Sequence, residues 1–152
     1  MLSIKIVLRM IQFWPPYLAA GIRLDQHDLE KGVIVSSLKR TIANGNAFGT
    51  HFGGSLYAMC DPWFVFIALH KLGKDYIIWD QGANINFVKA VKEKVYAEFH
   101  ISDQDIEKMR KATKDGEAYR PVFCTQVKTK EGTLVAKVEK TLYIRKKLDL
   151  HA

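Results

Sequence analysis

The sequence is poor in cysteine and proline and has no long apolar run. Its two cysteines, Cys60 and Cys124, cannot build a disulfide framework and lack metal-ligand spacing. Both are expected to be buried thiols of a cytoplasmic protein. Its five histidines, His27, His51, His70, His100 and His151, are scattered, which argues against a zinc site. No metal and no resident cofactor is therefore expected. No apolar stretch approaches the ~20 residues of a membrane-spanning helix. Lys5 and Arg9 interrupt the apolar opening "MLSIKIVLRMIQFW", so no signal-peptide core is expected there. That segment reads as an amphipathic helix over 1–16, ended by Pro15 and Pro16. It should pack on the domain, and no stable membrane insertion is expected.

What remains describes an ordinary globular chain. A length of 152 residues suits one domain over 1–152. Apolar residues make up 48% and charged residues 26%, enough for a core and too apolar for disorder. The formal charge of +7 suits an anionic partner: nucleic acid, an acidic membrane surface or a phosphorylated small molecule.

The periodicity is mostly that of strands. "AGIRLDQHD" and "GVIVSSLKRTI" read as two extended pieces around Glu30-Lys31-Gly32, and "ANGNAFGT" as a loop. "YIIWD", "NINFVKAV" and "KVYAEFHI" read as further strands, the last with Val95, Ala97, Phe99 and Ile101 on one face. "SDQDIEKMRKATKDG" reads as a short helix, with Ser102 and Asp105 at capping-box spacing. "YRPVFCTQVKT" and "TLVAKVEKTLYIRKK" form a hairpin around Lys130-Glu131-Gly132. Leu134, Ala136, Val138, Leu142 and Ile144 share a face of its second strand, the alternation of a half-buried antiparallel sheet.

Gly53 to Leu72 reads as one long helix, apolar nearly all round and therefore buried on most faces. Pro62 removes one of its hydrogen bonds and should kink it, which would leave the Ala58 carbonyl free. Asp61, beside the kink, is the only Asp, Glu, Lys, Arg or His from Leu56 to Leu69. A buried, unpaired carboxylate costs several kcal/mol or is driven to neutralise. Asp61 therefore either has a partner or has chemistry that a site uses. A sheet curling round the helix would cover it, and a second subunit could close the rest.

This α+β order resembles the hotdog fold, a curved antiparallel sheet wrapped round one long central helix, here with an extra N-terminal helix. "NAFGTHFGG" followed by Asp61 is similar to the signature of hotdog acyl-CoA thioesterases of the phenylacetyl-CoA thioesterase type. Asn46, Gly49, Thr50, Gly53, Gly54 and Asp61 fall on its spacing, and "NINFVKAV" resembles a further hotdog strand. The sequence departs from the pattern at Phe52, where the signature has His and where His51 comes one position earlier. Asp80 stands near the place of a partner-subunit Ser or Thr. The extra prolines, Pro62 and the Pro15-Pro16 pair, point to a distinct, poorly characterised subgroup.

The resemblance implies a homodimer or a dimer of dimers, with Asp61 of one subunit facing the helix start of the other. Asp61 would be the general base for water or a nucleophile on the thioester, and burial should raise its pKa. The free amides at Gly53 and Gly54 would form the oxyanion hole; otherwise the glycines only let helix and sheet pack closely. Asn46 would hold water or the thioester oxygen, or else support an Asx turn. His51 would act as donor or base, or cap the helix. Thr50, Phe52, Tyr57 and Trp63, with Phe64, are candidates for substrate contacts, although aromatics at helical spacing are more often core. Asp80 is a site residue or an exposed ion-pairing one. Between Lys128 and Lys147 stand seven Lys or Arg and two Glu, a net of +5. Such a strip could grip the phosphates of coenzyme A, which would enter only as part of the substrate; Arg145 within it and Lys89 outside it are the candidate contacts. The default for such a basic strip is a solvated strand face.

The leading expectation is hydrolysis of an acyl-CoA or related thioester. A hotdog dehydratase or hydratase needs a paired His and carboxylate on the acyl chain, and the loop typical of those enzymes is absent. A non-catalytic module that binds acyl-CoA or a partner protein is the other alternative. Nucleic-acid binding explains the charge but not Asp61, and no strand shows exposed aromatic pairs.

Overall fold

The computed structural model describes residues 3–148. The first two residues of the expected 1–16 helix, and His151, lie outside the described residues. The chain begins with helix α1, Ile4–Met10, a 3-10 turn at Ile11–Phe13, and helix α2, Pro15–Ala20. The expected single helix over 1–16 is thus corrected: Pro15 and Pro16 open a second helix instead of ending the first. A proline in the first helical turn gives up an amide that has no intrahelical partner anyway. Gly21, in the left-handed region at φ 77°, ends α2 and turns the chain into the sheet.

The strands are β1 (Ile22–Asp28), β2 (Val33–Leu38), β3 (Tyr76–Phe87), β4 (Val95–His100), β5 (Ala118–Tyr119), β6 (Val122–Thr129) and β7 (Leu134–Lys146). They form one antiparallel sheet in the order β1-β2-β4-β6-β7-β3, with β5 paired to β7. "YIIWD" and "NINF" are one continuous strand, with a register shift between Asp80 and Gly82. "VKAV" lies beyond its end. Helix α5, Asp103–Ala112, follows β4, and the Ser102 hydroxyl accepts from the Asp105 amide at 3.1 Å as the capping spacing predicts.

The expected helix Gly53–Leu72 is two helices, α3 (Gly53–Ala58) and α4 (Trp63–Leu72). The break follows from Pro62, which has no amide to donate to the Ala58 carbonyl. That carbonyl is not left free, because the Asp61 amide turns back to it at 3.2 Å. The Met59 carbonyl accepts from Ser36 Oγ at 2.8 Å and from Trp63 Nε1 at 2.6 Å. The Asp61 carbonyl accepts from the Tyr17 hydroxyl of α2. Side chains from three elements thus satisfy the interruption, as buried carbonyls require.

Helix α4 packs on β2, β4 and β3, which lie towards opposite ends of the strand order, so the sheet curls round it. Trp63, Phe64, Ile67 and Ala68 meet Ile34, Phe99, Val138 and Ile144 in the core. Leu8, Ile11 and Tyr17 belong to the same core, so the N-terminal helices cover part of the helix left bare by the sheet. Cys60 is buried as expected, and its thiol is pushed up to about 12 by burial. Cys124 is exposed, which corrects the expectation of two buried thiols. It lies on β6, where Thr125 and Val127 take the inward positions.

Candidate functional site

The break between α3 and α4 leaves Asp61 beside Pro62, which caps α4, with 45% of its side chain exposed. It is therefore neither sealed nor unpaired. Its Oδ1 lies 2.9 Å from Nζ of Lys140 on β7. The same nitrogen lies 3.1 Å from Oδ2 of Asp80 on β3. Lys140 is 1% exposed, and Asp80 21%. Pairing brings these groups together because β3 and β7 run antiparallel beside the helix break, with Asp80 opposite Leu142 and Ala83 opposite Lys140. The Tyr57 ring, one helical turn before Asp61, lies 5.2 Å from Lys140 Nζ.

A buried ammonium persists only when it is paired. Burial pulls Lys140 down, but its contacts with Asp61 and Asp80 outweigh this and raise it above the ordinary lysine value. The two carboxyls diverge. Burial pushes Asp61 up, yet its hydrogen bonds with Asp80 and Lys140 hold it below the usual carboxylate range. Asp80 is pushed up to about 6, by burial first and then by sharing a proton with Asp61 against the pull of Lys140. The expected raised pKa at Asp61 is thus corrected: hydrogen bonding with Asp80 and then with Lys140 holds Asp61 low, and the upward shift falls on Asp80. Oδ1 of Asp80 is buried without a partner among the described residues. Two carboxyls driven apart in this way can hold and accept a proton within one cluster.

The loop before α3 is built by Asn46. Its amide donates to Thr50 Oγ1 at 2.9 Å and to the His51 carbonyl at 3.0 Å. Its Oδ1 accepts from the amides of Phe48 and Thr50, each at 3.0 Å. Those four bonds engage the whole side chain in loop geometry, the Asx-turn alternative. His51 is buried; its Nε2 lies 2.7 Å from the Glu93 carbonyl, and its Nδ1 has no partner among the described residues. An Nε2–H donated to that carbonyl leaves Nδ1 as a bare acceptor.

At the start of α3 the amides of Ser55 and Leu56 close on the Phe52 carbonyl, while those of Gly53 and Gly54 have no backbone acceptor among the described residues. The Phe87 ring sits over Gly53 and the Phe52 ring over Gly54, so a side chain at either glycine would collide with an aromatic edge. Phe52 and Phe87 are themselves exposed. The glycine amides and Asp61 stand at opposite ends of α3, on the order of 10 Å apart along the helix.

The remaining expected residues divide. Tyr57 and Asp80 join the Asp61 cluster. Trp63 does not line a surface: it is sealed in the core against Tyr17 and Phe99, with Phe64 beside it. Thr50 and Lys89 line a cleft of about 570 Å³ with Lys92 and Glu93, beside the loop that precedes α3. Arg145 is exposed on β7 and donates to the Gly116 carbonyl at 2.8 Å. It lies five residues beyond Lys140, roughly 17 Å along the strand, and points to the other face.

Two members of the cluster escaped the sequence reading. Lys140 carried a signal: it continues the series Leu134, Ala136, Val138, Leu142 and Ile144 on the inward face. Tyr17 carried none, since its contact with Asp61 depends on how α2 folds back.

A second groove, of about 570 Å³, opens between the N-terminal helices and α4 and reaches Asp61. Asp61 is the one ionisable residue on its wall.

Solved structures share this fold at low sequence identity. A protein of unknown function from Pseudomonas aeruginosa, described as a probable thioesterase, superposes with a TM-score of 0.80 at 15% identity, covering 95% of this chain and 97% of that one. A protein of unknown function from Chlorobaculum tepidum gives 0.75 at 16% identity, over 95% and 94%. A thioesterase from Haemophilus influenzae gives 0.67 at 15% identity, over 100% and 96%. No curated protein matches the sequence. The architecture is the hotdog fold expected from the sequence. The family model described as a domain of unknown function, DUF4442, matches residues 4–144, and the chain belongs to that family.

Proposed function

We propose that the protein hydrolyses an acyl thioester, with Asp61 as the general base for the attacking water. The observation that carries this reading is the Asp61–Lys140–Asp80 cluster: one carboxylate held ionised and half exposed, beside a second carboxyl near pKa 6. Water attacks the thioester carbonyl as Asp61 takes its proton. The tetrahedral oxyanion collapses and breaks the carbon–sulfur bond. The proton then returns to the thiolate, giving a carboxylic acid and a free thiol. Asp80 can hold that proton while Asp61 stays ionised, a division of labour typical of carboxyl pairs with separated pKa values.

An oxyanion needs donors within about 3 Å. Within one chain the Gly53 and Gly54 amides are too far from Asp61 to touch the same carbonyl. A second copy supplies them in this reading, so the active unit is a homodimer. The exposed edge strand β3, with Trp79 and Phe87 uncovered, supports an additional contact there. Lys89 and Lys92, beside Thr50, suit the phosphates of a coenzyme A carrier. The solved relatives named as thioesterases agree with this reading.

The test is release of free thiol from a panel of acyl-CoAs, with Asp61→Asn as control. Turnover should fall at least 100-fold in the variant, with the folded near-UV spectrum retained. If Asp61→Asn matches the parent on every substrate that the parent cleaves, the reading fails.

A further inference from the structure

The groove that reaches Asp61 is too large and too apolar to be explained by the carboxyl cluster alone. One wall comes from Val7, Met10, Phe13 and Trp14, in or beside the N-terminal helices, and the other from Pro62 and Phe66 of α4. Met10, Phe13 and Trp14 are more than half exposed at its rim. Large apolar side chains left uncovered in such number mark a binding surface. The groove offers one ionisable group, Asp61, and otherwise hydrocarbon and aromatic surface. An occupant that matches it has one polar end and an apolar body.

Its size narrows the body further. An apolar cavity of about 150 Å³ holds benzene, so six carbons, and in proportion 570 Å³ has room for roughly twenty. The groove is open, so this is an upper bound. A phenyl or acetyl group would leave most of it wet. An extended hydrocarbon chain fills it and exchanges both apolar surfaces for contact with each other.

We propose that this groove is the acyl-chain site, and that the substrates are thioesters of medium- or long-chain aliphatic acids, seated with the tail between the N-terminal helices and α4 and the thioester at Asp61. The inference rests on the thioesterase reading of Asp61 and adds the substrate class. It also gives the N-terminal helices a role: they form one wall of the specificity pocket. Core aromatics of α4 do not line that pocket, because Trp63 and Phe64 are sealed beneath it.

The experiment is a chain-length series, from butanoyl-CoA to hexadecanoyl-CoA, on the full chain. In the parent, kcat/KM should rise about fourfold per added methylene until the groove is full, the equivalent of about 0.8 kcal/mol per buried CH₂. Met10→Trp, which places bulk at an exposed rim position, should lower the dodecanoyl-to-butanoyl ratio of kcat/KM at least tenfold. Phe13→Ala, which widens the rim, should lower it about fivefold and guards against misfolding of the first variant. A flat series, with both ratios unchanged, overturns the groove assignment while leaving the thioesterase reading intact.

Binding separates the two claims from the other side. Calorimetry with dodecyl-CoA thioether, which cannot be cleaved, should show binding that Met10→Trp weakens at least tenfold. If that holds and no thioester is cleaved, the groove stands and the catalytic reading fails. If the thioether does not bind, but Met10→Glu abolishes co-sedimentation with phosphatidylglycerol–phosphatidylcholine vesicles, the surface is a lipid-docking face and the acyl-site proposal is overturned.

Discussion

Lys140 Nζ lies 2.9 Å from Asp61 Oδ1, with only 1% of the lysine side chain exposed. The contact ties β7, next to the edge strand β3, to the break between α3 and α4. It also makes the acid beside that break depend on a residue 79 positions away. Replacing Lys140 by Met removes the cation but leaves both carboxyls facing the space that it occupied. Breaking a buried pair costs about 3–5 kcal/mol. Asp61 is half exposed and can recover some hydration, so a loss near the lower end is expected in urea unfolding at pH 7. Adding Asp80→Asn should restore part of it, since one of the repelling charges is then gone. Full additivity of the two substitutions would show that the groups do not interact.

Stability should carry the mark of Asp80. A carboxyl whose pKa is higher in the folded chain, about 6 here, binds more protons folded than unfolded between pH ~4 and 6. It therefore makes stability fall as pH rises through that window. Asp61 acts in the opposite sense: held low, its contribution is present above the ordinary aspartate value and is lost as pH falls below it. Urea midpoints measured from pH 4 to 7 should therefore decline less in Asp80→Asn than in the parent. In the hydrolysis assay, a limb of kcat/KM near pH 6 in the parent should be displaced in the same variant. A wild-type profile identical to that of Asp80→Asn in both measurements would remove Asp80 from the cluster's chemistry.

The Tyr17 hydroxyl donates to the Asp61 carbonyl from a side chain that is itself buried. Burial, then the nearby Asp61, Cys60 and Asp80, raises Tyr17 well above the usual phenol range, so it stays a donor across the working pH. Tyr17→Phe keeps the ring packing against Trp63 and Trp14. It leaves one carbonyl at the helix break without its donor, at a cost of about 1–3 kcal/mol. For a chain of this size each kcal/mol corresponds to a melting-temperature loss of roughly 2–4 °C. A larger drop in kcat than in stability would add that the bond also aims Asp61.

The fold was legible because its signals are local and repeated. The inward series along β7, the alternation of Val95, Ala97, Phe99 and Ile101, and the Ser102 cap each depend on a few neighbouring residues. Asp61 stood out for the same reason, as one acid in an apolar stretch. What depended on long-range geometry was harder to read. Pro62 announced a kink, but its full effect, two helices with carbonyls satisfied from β2 and α2, required the folded chain. The sequence left open whether Asp61 has a partner, because its cation lies on another element, although Lys140 stands on an inward face. Pro15 and Pro16 read as a stop, yet proline is equally at home in a first helical turn. The groove beside Asp61 depends on how the segment from Val7 to Pro15 packs across α4, which no local pattern announces.

Asn46 offers the sharpest separation between holding a loop and touching a substrate. Its side chain makes four hydrogen bonds within residues 46–51, two as donor and two as acceptor. Asn46→Ala loses all four, and at about 1 kcal/mol net apiece, less what water restores at this part-exposed loop, a loss of 2–3 kcal/mol is expected. Asn46→Asp keeps the acceptors for the Phe48 and Thr50 amides but turns a carboxylate oxygen toward the His51 carbonyl. It should therefore be no more than modestly better than alanine. Hydrogen exchange at the Phe48 and Thr50 amides, with urea midpoints, checks this directly: protection should be lost in Asn46→Ala and partly kept in Asn46→Asp. If both variants keep the parent's stability and protection while kcat/KM collapses, the side chain serves the substrate and not the loop.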